Sequence, residues 1–485
     1  MQYRNITRII GLLIALFSIA MLPPALVALI YGDGGGTAFL RSFVLSLLIG
    51  MVFWYPNRHH KEELRNRSGF LIVVLFWVVL GSIGAIPLLL SANPDLSVAD
   101  SFFESFSALT TTGATVIVGL EQLPKAILFY RHMLQWLGGM GIIVLAVAIL
   151  PLLGVGGMQL YRAETPGPVK DSKMTPRIAE TAKALWYIYL ALTGLCASAY
   201  WLAGMNLFDA IGHSFSTIAI GGFSSYDASI GHFDSSAINL VCAIFLLISA
   251  MNFSLHFTAF SSRGANLKAY LKDTELRFFL LIQLVLVAIV FATLYNTATF
   301  DTPEAALDAA LFQSVSISTT AGFGTESFAS WPLFLPMLLI FSSFIGGCAG
   351  STGGGMKVIR VVLLFLQGSR ELKRLVHPKA IYSIRLGSKA LSNRVIDAVW
   401  GFFSAYALVF VICLVALMAT GLDDITAFSA TAACLNNLGP GLGEVAAHYG
   451  DISDTAKWIL LVAMVCGRLE VFTLLVLFTP TFWKS

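Results

Sequence analysis

Long apolar stretches separated by short polar ones run the whole length of this 485-residue chain. Ten of them predict helices over 6–31, 37–55, 68–92, 126–154, 178–203, 236–260, 277–297, 332–366, 396–420 and 455–480, each meeting or approaching the roughly 20 residues that cross a hydrocarbon core. Four shorter segments lie between long ones and share one frame, with Ser or Thr in second place and Gly in tenth. They read ESFSALTTTGAT from Glu104, HSFSTIAIGGFS from His213, QSVSISTTAGFG from Gln313 and ATAACLNNLGPG from Ala430. The aligned glycines are Gly113, Gly222, Gly322 and Gly439, spaced by 109, 100 and 117 residues. Each interval holds two spans and a re-entrant hairpin, so the chain from residue 68 onward reads as four repeats of helix, short segment, Gly loop and helix.

The short segments open near Asp100, Asp209, Asp308 and Asp424. Asp is a favourable N-cap, and the dozen or so residues that follow suit a helix of about three turns. At about 1.5 Å per residue such a helix cannot span. It is expected to dip in from the outer face and stop partway, its C-terminal, negative dipole end toward the membrane centre. The chain must then return as extended backbone, and exposed carbonyls at that depth are tolerated only if buried in protein or lining a watery cavity. Gly at the turn permits positive φ, and rings of carbonyls replace the hydration shell of a monovalent cation. Thr110 to Thr112, Ser216 with Thr217, Ser318 to Thr320, and Asn436 with Asn437 precede the glycines and offer side-chain oxygens or hydrogen bonds that hold the loops. The plainer alternative is four tight interfacial turns with no pore.

Composition agrees with the pattern: 57% of residues are hydrophobic and 12% charged, about half the charged fraction of a soluble domain. This is an all-α polytopic membrane protein with no room for a separate soluble domain. With the N-terminus in the cytoplasm, 25 of the 30 Lys and Arg fall on the inner side, the orientation the positive-inside rule requires. Arg41, Lys125, Arg131 and Lys457 fall outward, and Arg468 falls within a helix. Seventeen of the 27 acids, among them Asp100, Glu104, Asp209, Asp308, Asp423 and Asp424, lie in outer loops or re-entrant segments. They read either as residues under no sorting pressure or as an acidic mouth that concentrates cations. The first apolar stretch, led by Arg4 and Arg8, is too long for a signal peptide core and lacks a clear cleavage site, so an uncleaved helix is expected. The six cysteines form no C-x-x-C pair, and the eight histidines form no H-E-x-x-H; neither a disulfide framework nor a zinc site is expected.

Two features interrupt the apolar runs. IGGCAGSTGGGMK, Ile345 to Lys357, carries six glycines, each costing about 1 kcal/mol relative to Ala in a helix. An unwound stretch at membrane depth is expected, with a close helix–helix contact of small residues as the alternative. The string lacks the G-x-x-x-x-G-K-[ST] frame of a nucleotide phosphate loop. Arg468 sits inside the last span, where a charge costs about 2.5–3.5 kcal/mol and faces a cavity or a partner. Glu470, two residues on, points to nearly the opposite helix face and is a poor partner for it. A structural ion pair or carbonyl clamp is the bland role for Arg468.

The loops TTTGAT, AIGGFS, TTAGFG and NNLGPG, with glycines in register, resemble the Trk/Ktr/HKT superfamily of potassium transporters. The resemblance runs from about residue 68 to the end, and the two extra N-terminal helices and the length are closest to the bacterial TrkH type. It implies a division into residues 1–67 (two extra helices), 68–155, 156–262, 263–370 (with the Gly-rich loop) and 371–485, the last four being pore repeats in pseudo-fourfold arrangement. It implies conduction of potassium and rubidium, with potassium held at a filter of Thr111, Thr112 and Gly113; Ile220, Gly221 and Gly222; Thr320, Ala321 and Gly322; and Asn437, Leu438 and Gly439. Gly113, where sodium-transporting plant relatives carry Ser, favours potassium. The fourth loop departs most, with Asn437, Leu438 and Pro440. The resemblance makes Gly346, Gly347, Gly350, Gly353, Gly354 and Gly355 an intramembrane gate beneath the filter, with Arg468 in the ion path below it. It also implies a multi-pass homodimer in the cytoplasmic (inner) membrane, in contact with lipid, both termini cytoplasmic. Cytoplasmic nucleotide-binding regulatory subunits of the TrkA type would gate it. The chain itself is expected to bind no cofactor and no nucleic acid. The basic stretch 367–395 and the loop 161–183 are the candidate contacts for anionic lipid or an acidic partner. No covalent chemistry is expected. The rivals are a sodium- or proton-coupled symporter, and an intramembrane enzyme built on His213, Glu104 or Cys348.

Overall fold

The computed structural model describes residues 3–60, 66–141, 178–261, 268–386, 389–391 and 393–483. Among these the architecture is helical, apart from a two-residue antiparallel ladder pairing Arg385–Leu386 with Lys389–Ala390. Six helices are long and apolar enough to cross a membrane: Tyr3–Tyr31, Gly36–Asn57, Ser68–Leu89, Lys183–Leu202, Thr274–Asn296 and Val395–Met418. Within the first, a 3-10 turn at Ile19–Met21 precedes Pro23 and Pro24, so the run is two helical pieces rather than one.

Three other apolar stretches depart from straight helices, and a fourth is described only in part. The 236–260 stretch is Ser236–Ala250 and Phe253–Phe260 meeting at 90°. Its break has a partner: the Ala250 carbonyl accepts from Cys348 N at 2.8 Å, and Phe253 N donates to Gly350 O at 3.1 Å. The 332–366 stretch is Leu335–Ser343 and Val358–Val376, with an irregular segment between them. The 455–480 stretch, expected as one helix with Arg468 in its interior, ends at Arg468 and turns through 104°. Glu470 and Val471 take φ of 53° and 57° there, which no helix continues through. Of the 126–154 stretch, Lys125–Gly139 is helical and residues beyond 141 lie outside the described part.

The four short segments are helices that end near the aligned glycines: Val98–Leu109, Leu207–Ala219, Pro303–Ser318 and Asp424–Leu435. Their N-caps differ from the aspartates expected. Ser97 accepts from Asp100 N, Asn206 from Asp209 N, Thr302 from Ala305 N, and Asp423 from Ile425 N and Thr426 N. Asp100 and Asp209 instead occupy the third position, where Ser97 Oγ and Asn206 Nδ2 donate to their carboxylates at 2.8 and 2.5 Å. Each acid thus lies three residues inside the helix, where it favours the positive N-terminal end and pairs with the cap side chain. Asp308 lies farther in and accepts from Asn239 Nδ2 at 2.8 Å.

The N-terminal helix packs on Gly36–Trp54 through two facing glycines. A Cβ on Gly11 would lie 2.5 Å from Trp54 N and 2.8 Å from Gly50 O; one on Gly50 would lie 2.6 Å from Ala15 N. Backbones approach this closely only where small residues face each other. Gly11→Val overpacks the contact by about 1–3 kcal/mol and is expected to lower the thermal midpoint in detergent. An unchanged midpoint would contradict the contact.

Candidate functional site

The four loops after the short helices have one backbone. Two residues before each aligned glycine, Thr111, Ile220, Thr320 and Asn437 take φ of 55°, 54°, 70° and 54°. The glycines Gly113, Gly222, Gly322 and Gly439 take 80°, 77°, 80° and 98°. Left-handed residues thus alternate with an ordinary one, and only at the second is the side chain dispensed with.

The loops also close on one another. A Cβ on Gly113 would strike the Gly221 carbonyl, one on Gly222 the Ala321 carbonyl, and one on Gly322 the Leu438 carbonyl. One on Gly439 would lie 2.7 Å from the Thr112 carbonyl, which returns the sequence to the first loop. Each glycine therefore faces the carbonyl of the residue before the next loop's glycine, through a complete circuit. All twelve loop residues named from the sequence take part in this arrangement. Gly113, Gly222, Gly322 and Gly439 together border one outer cavity of about 540 Å³.

Side chains hold the loops from behind. Glu104 accepts from Thr115 Oγ1 and Val116 N at 3.0 Å each and from Arg131 Nε at 2.7 Å. His213 Nε2 meets Ser224 Oγ at 2.9 Å, and Gln313 Nε2 donates to Glu326 O at 2.6 Å. In the fourth repeat, where Ala430 takes that place, the neighbouring Ser429 accepts from Leu442 N at 2.8 Å. The residue opening each frame, or its neighbour, thus braces the chain returning from the glycine. The hydroxyls before the glycines serve the same end: Thr112 Oγ1 pairs with Thr110 and accepts from Asn437 Nδ2 at 3.0 Å, and Tyr200 meets Thr217 at 2.8 Å. Three braces carried no sequence signal. Gln135 donates to Gly221 O at 2.6 Å and accepts from Phe223 N at 3.1 Å; Tyr449 donates to Gly439 O at 2.7 Å; Tyr406 donates to Asn436.

Directly beneath, residues 344–357 press on the loops. Gly354 N donates to Thr320 Oγ1 at 2.7 Å, Gly355 N to Asn436 O at 3.0 Å, and Thr352 Oγ1 to Ile218 O at 2.9 Å. Gly346, Gly350 and Gly355 have φ of 67°, 75° and 71°. Gly347, Gly353 and Gly354 leave no room for a Cβ against Ser351, Thr319 O and Asn436 O. The expected unwound stretch is present, and each of its six glycines has a steric reason. Glu275, not singled out from the sequence, ties both flanks by accepting from Ala349 N at 2.7 Å and Ile359 N at 3.2 Å.

Arg468 sits between this segment and the loops. Its Nη1 donates to Thr111 Oγ1 at 3.3 Å and Thr352 O at 3.1 Å, and its Nη2 to Gly138 O at 2.6 Å. It borders a second cavity, of about 130 Å³, with Asn437, Gly353, Lys357 and Glu470. It is thus a carbonyl clamp that also lines a cavity. Glu470 pairs with Arg360 instead, whose guanidinium lies 4.2 Å from the Phe402 ring centroid.

The acids are distributed differently from a uniform acidic mouth. Asp100 pairs with Lys457 at 2.6 Å, Glu104 with Arg131, and Asp209 accepts from Tyr226 at 2.7 Å. Asp227 and Glu326 are the acids that border the outer cavity. His213, Glu104 and Cys348 stay in separate settings: Glu104 is engaged by Arg131, both His213 nitrogens are bonded, and Cys348 lies in the segment beneath. Of the two basic stretches, 367–395 ends helix Val358–Val376, forms the ladder and enters helix Asn393–Met418, exposing Leu372, Leu375 and Ile381. The loop 161–177 lies outside the described residues.

Gln135→Leu leaves Gly221 O and Phe223 N without this partner, at about 1–3 kcal/mol for each buried group left unpaired. A fall in thermal midpoint is expected, reduced little by Gln135→Glu at low pH, where the acid again donates and accepts. A midpoint equal to the parent's would contradict the bracing role.

The chain resembles known proteins over its full length. The family model described as "TrkH: Cation transport protein" matches residues 35–485. The Trk system potassium uptake protein TrkH of Vibrio parahaemolyticus is 69% identical over 100% of both chains, and that of Escherichia coli is 63% identical over the same extent. The crystal structure of the potassium transporter TrkH from Vibrio parahaemolyticus superposes with a TM-score of 0.91 at 66% identity, covering 100% of each chain. A transporter's architecture, rather than an enzyme's, is what the loops and the spans compose. The chain is a multi-pass membrane protein and belongs to the TrkH family of cation transport proteins.

Proposed function

We propose that the chain conducts potassium, and rubidium, across the cytoplasmic membrane through the ring of four Gly loops. The observation that carries this is the circuit from Gly113 to Gly221, Gly222 to Ala321, Gly322 to Leu438 and Gly439 to Thr112. A closed ring of backbone at membrane depth, open above to a cavity of about 540 Å³, supplies carbonyl oxygens in place of a hydration shell. The names of the relatives, potassium uptake proteins, support potassium as the ion. The four glycine triplets and their preceding residues form the filter on this reading. The outer cavity with Asp227 and Glu326 is its entrance.

The segment 344–357 and Arg468 are the gate. A fixed guanidinium about 5 Å from a passing monovalent cation opposes it by about 3 kcal/mol at an effective dielectric near 20, enough to slow passage about a hundredfold. The hydrogen bonds from Gly354 and Gly355 to Thr320 and Asn436 hold the segment against the filter. Opening requires their release, driven from the cytoplasm by nucleotide-binding subunits of the TrkA type docking on a homodimer. The exposed apolar and basic surface after residue 367 suits such a partner, with anionic lipid as its other neighbour. Both termini are cytoplasmic on this reading. Passive conduction is favoured over symport because Glu104 and Glu470, the two acids a coupled mechanism would draw on, are each held by an arginine.

The test is rubidium and sodium uptake into proteoliposomes loaded with high potassium. Potassium-driven rubidium uptake with no sodium or proton gradient is expected. Gly113→Ser, which puts a Cβ against the Gly221 carbonyl at φ 80°, is expected to lower the rubidium-to-sodium ratio at least fivefold. Arg468→Ala is expected to raise the rate without added partner. Uptake that appears only under a sodium or proton gradient would overturn the passive reading, and an unaltered ratio in Gly113→Ser would overturn the filter.

A further inference from the structure

Behind the ring, one ion pair differs from the rest. Glu104 and Arg131 pair at 2.7 Å with side chains 0% and 1% exposed; the remaining pairs among the described residues each have a member at least 17% exposed. Glu104 lies on the first short helix and Arg131 on the helix Lys125–Gly139 that follows the first loop. The guanidinium does more than neutralise the carboxylate. Its Nη2 donates to Thr115 Oγ1 at 3.1 Å, its Nη1 to Ser224 O at 3.0 Å, and it lies 4.0 Å from the Phe223 ring centroid. Thr115 is two residues past Gly113, and Ser224 is two residues past Gly222. A single planar group therefore fixes the first and second loops to each other at one height.

Two of the other junctions are made differently. The second and third loops meet through Gly231 N to Gly324 O at 3.0 Å, and the fourth and first through Tyr449 N to Thr115 O at 2.8 Å. Both are backbone bonds between flanking segments, without charge. Among the described residues, the fully buried charged bracket spans only this junction between the first and second loops; the Asp100–Lys457 pair, which links the first and fourth repeats, is partly exposed.

We propose that Arg131, held by Glu104, is a positioning residue for ion discrimination: it sets the spacing between the first and second Gly loops. Carbonyl rings discriminate between monovalent cations only if the carbonyls keep their number and spacing, and glycine-centred backbone supplies little stiffness of its own. The fork of a guanidinium can donate to three acceptors in fixed directions, which an ammonium cannot reproduce. The inference rests on the filter reading above.

The experiment measures the rubidium-to-sodium uptake ratio in proteoliposomes for Glu104→Gln, Arg131→Lys, Arg131→Met and the double variant Glu104→Gln/Arg131→Met, each purified as a monodisperse peak. Gly113→Ser and Lys457→Met run alongside. Lys457 belongs to the partly exposed pair with Asp100 and donates to Gly450 O, eleven residues past Gly439, without a bond to the loop residues themselves. The ratio is expected to fall at least fivefold in Glu104→Gln and in Arg131→Lys, with the double variant no worse than Arg131→Met, since both ends belong to one bracket. Lys457→Met is expected to keep the parent ratio even if its thermal midpoint falls. Ratios within twofold of the parent in Glu104→Gln and Arg131→Lys, while Gly113→Ser loses selectivity, would overturn the proposal and leave the filter standing. An equal fall in Lys457→Met would reduce it to general loosening and overturn it as well. Should Gly113→Ser also keep the parent ratio, the filter reading fails and this proposal with it. Arg131→Lys, which keeps the charge, carries the test if Arg131→Met does not fold.

Discussion

A backbone that leaves its helix inside a membrane has no water to turn to, so each of its amides and carbonyls must find a partner within the protein or along an aqueous path. Four loops of this chain meet that constraint together. Their alternating left-handed residues put the glycines against one another's carbonyls in a closed circuit, and a Cβ at any of the four would break it. The surrounding architecture follows. Short helices stop partway because the loops begin there, and polar side chains such as Glu104, His213 and Gln313 are buried because the returning backbone needs them. The ring glycines and the segments returning from them line one cavity.

The same constraint shapes the lower half. Residues 344–357 interrupt a span with glycines, and their freed backbone groups are taken up by the loops above, by the broken helix at Ala250 and Phe253, and by Glu275. Arg468 donates three hydrogen bonds, to two carbonyls and a hydroxyl, at the border of the smaller cavity. These bonds are numerous but individually modest, each about 0.5–1.5 kcal/mol net. A segment held this way can be released by a partner of ordinary affinity, whereas one packed by large apolar side chains could not.

Much of this was legible along the chain. The spans followed from hydropathy, and the loop glycines from their register between spans. The unwound segment followed from six glycines in thirteen positions. What escaped had physical reasons. The sequence pattern points to Asp100 and Asp209 as caps, whereas Ser97 and Asn206, three residues earlier, take the cap and leave the acids inside the first turn. The bend after Arg468 depends on positive φ at Glu470 and at β-branched Val471, residue types that give no warning of it. Gln135, Tyr406 and Tyr449 are single polar groups on apolar or loop backgrounds, and Gln135 meets Gly221, 86 residues on. A lone residue whose partner is that distant has no periodicity to reveal it. Arg131 read as an outward-falling charge; only the fold brings Glu104, Thr115 and Ser224 around it.

The central claim is that the four glycine loops form one cation-binding ring. Anomalous diffraction from crystals grown in rubidium, compared with crystals grown in sodium, tests it most directly. A rubidium peak is expected on the axis shared by the loops, at the level of Gly113, Gly222, Gly322 and Gly439, and absent in sodium. Rubidium found only in the outer cavity beside Asp227 and Glu326, with none at the ring, would contradict the account.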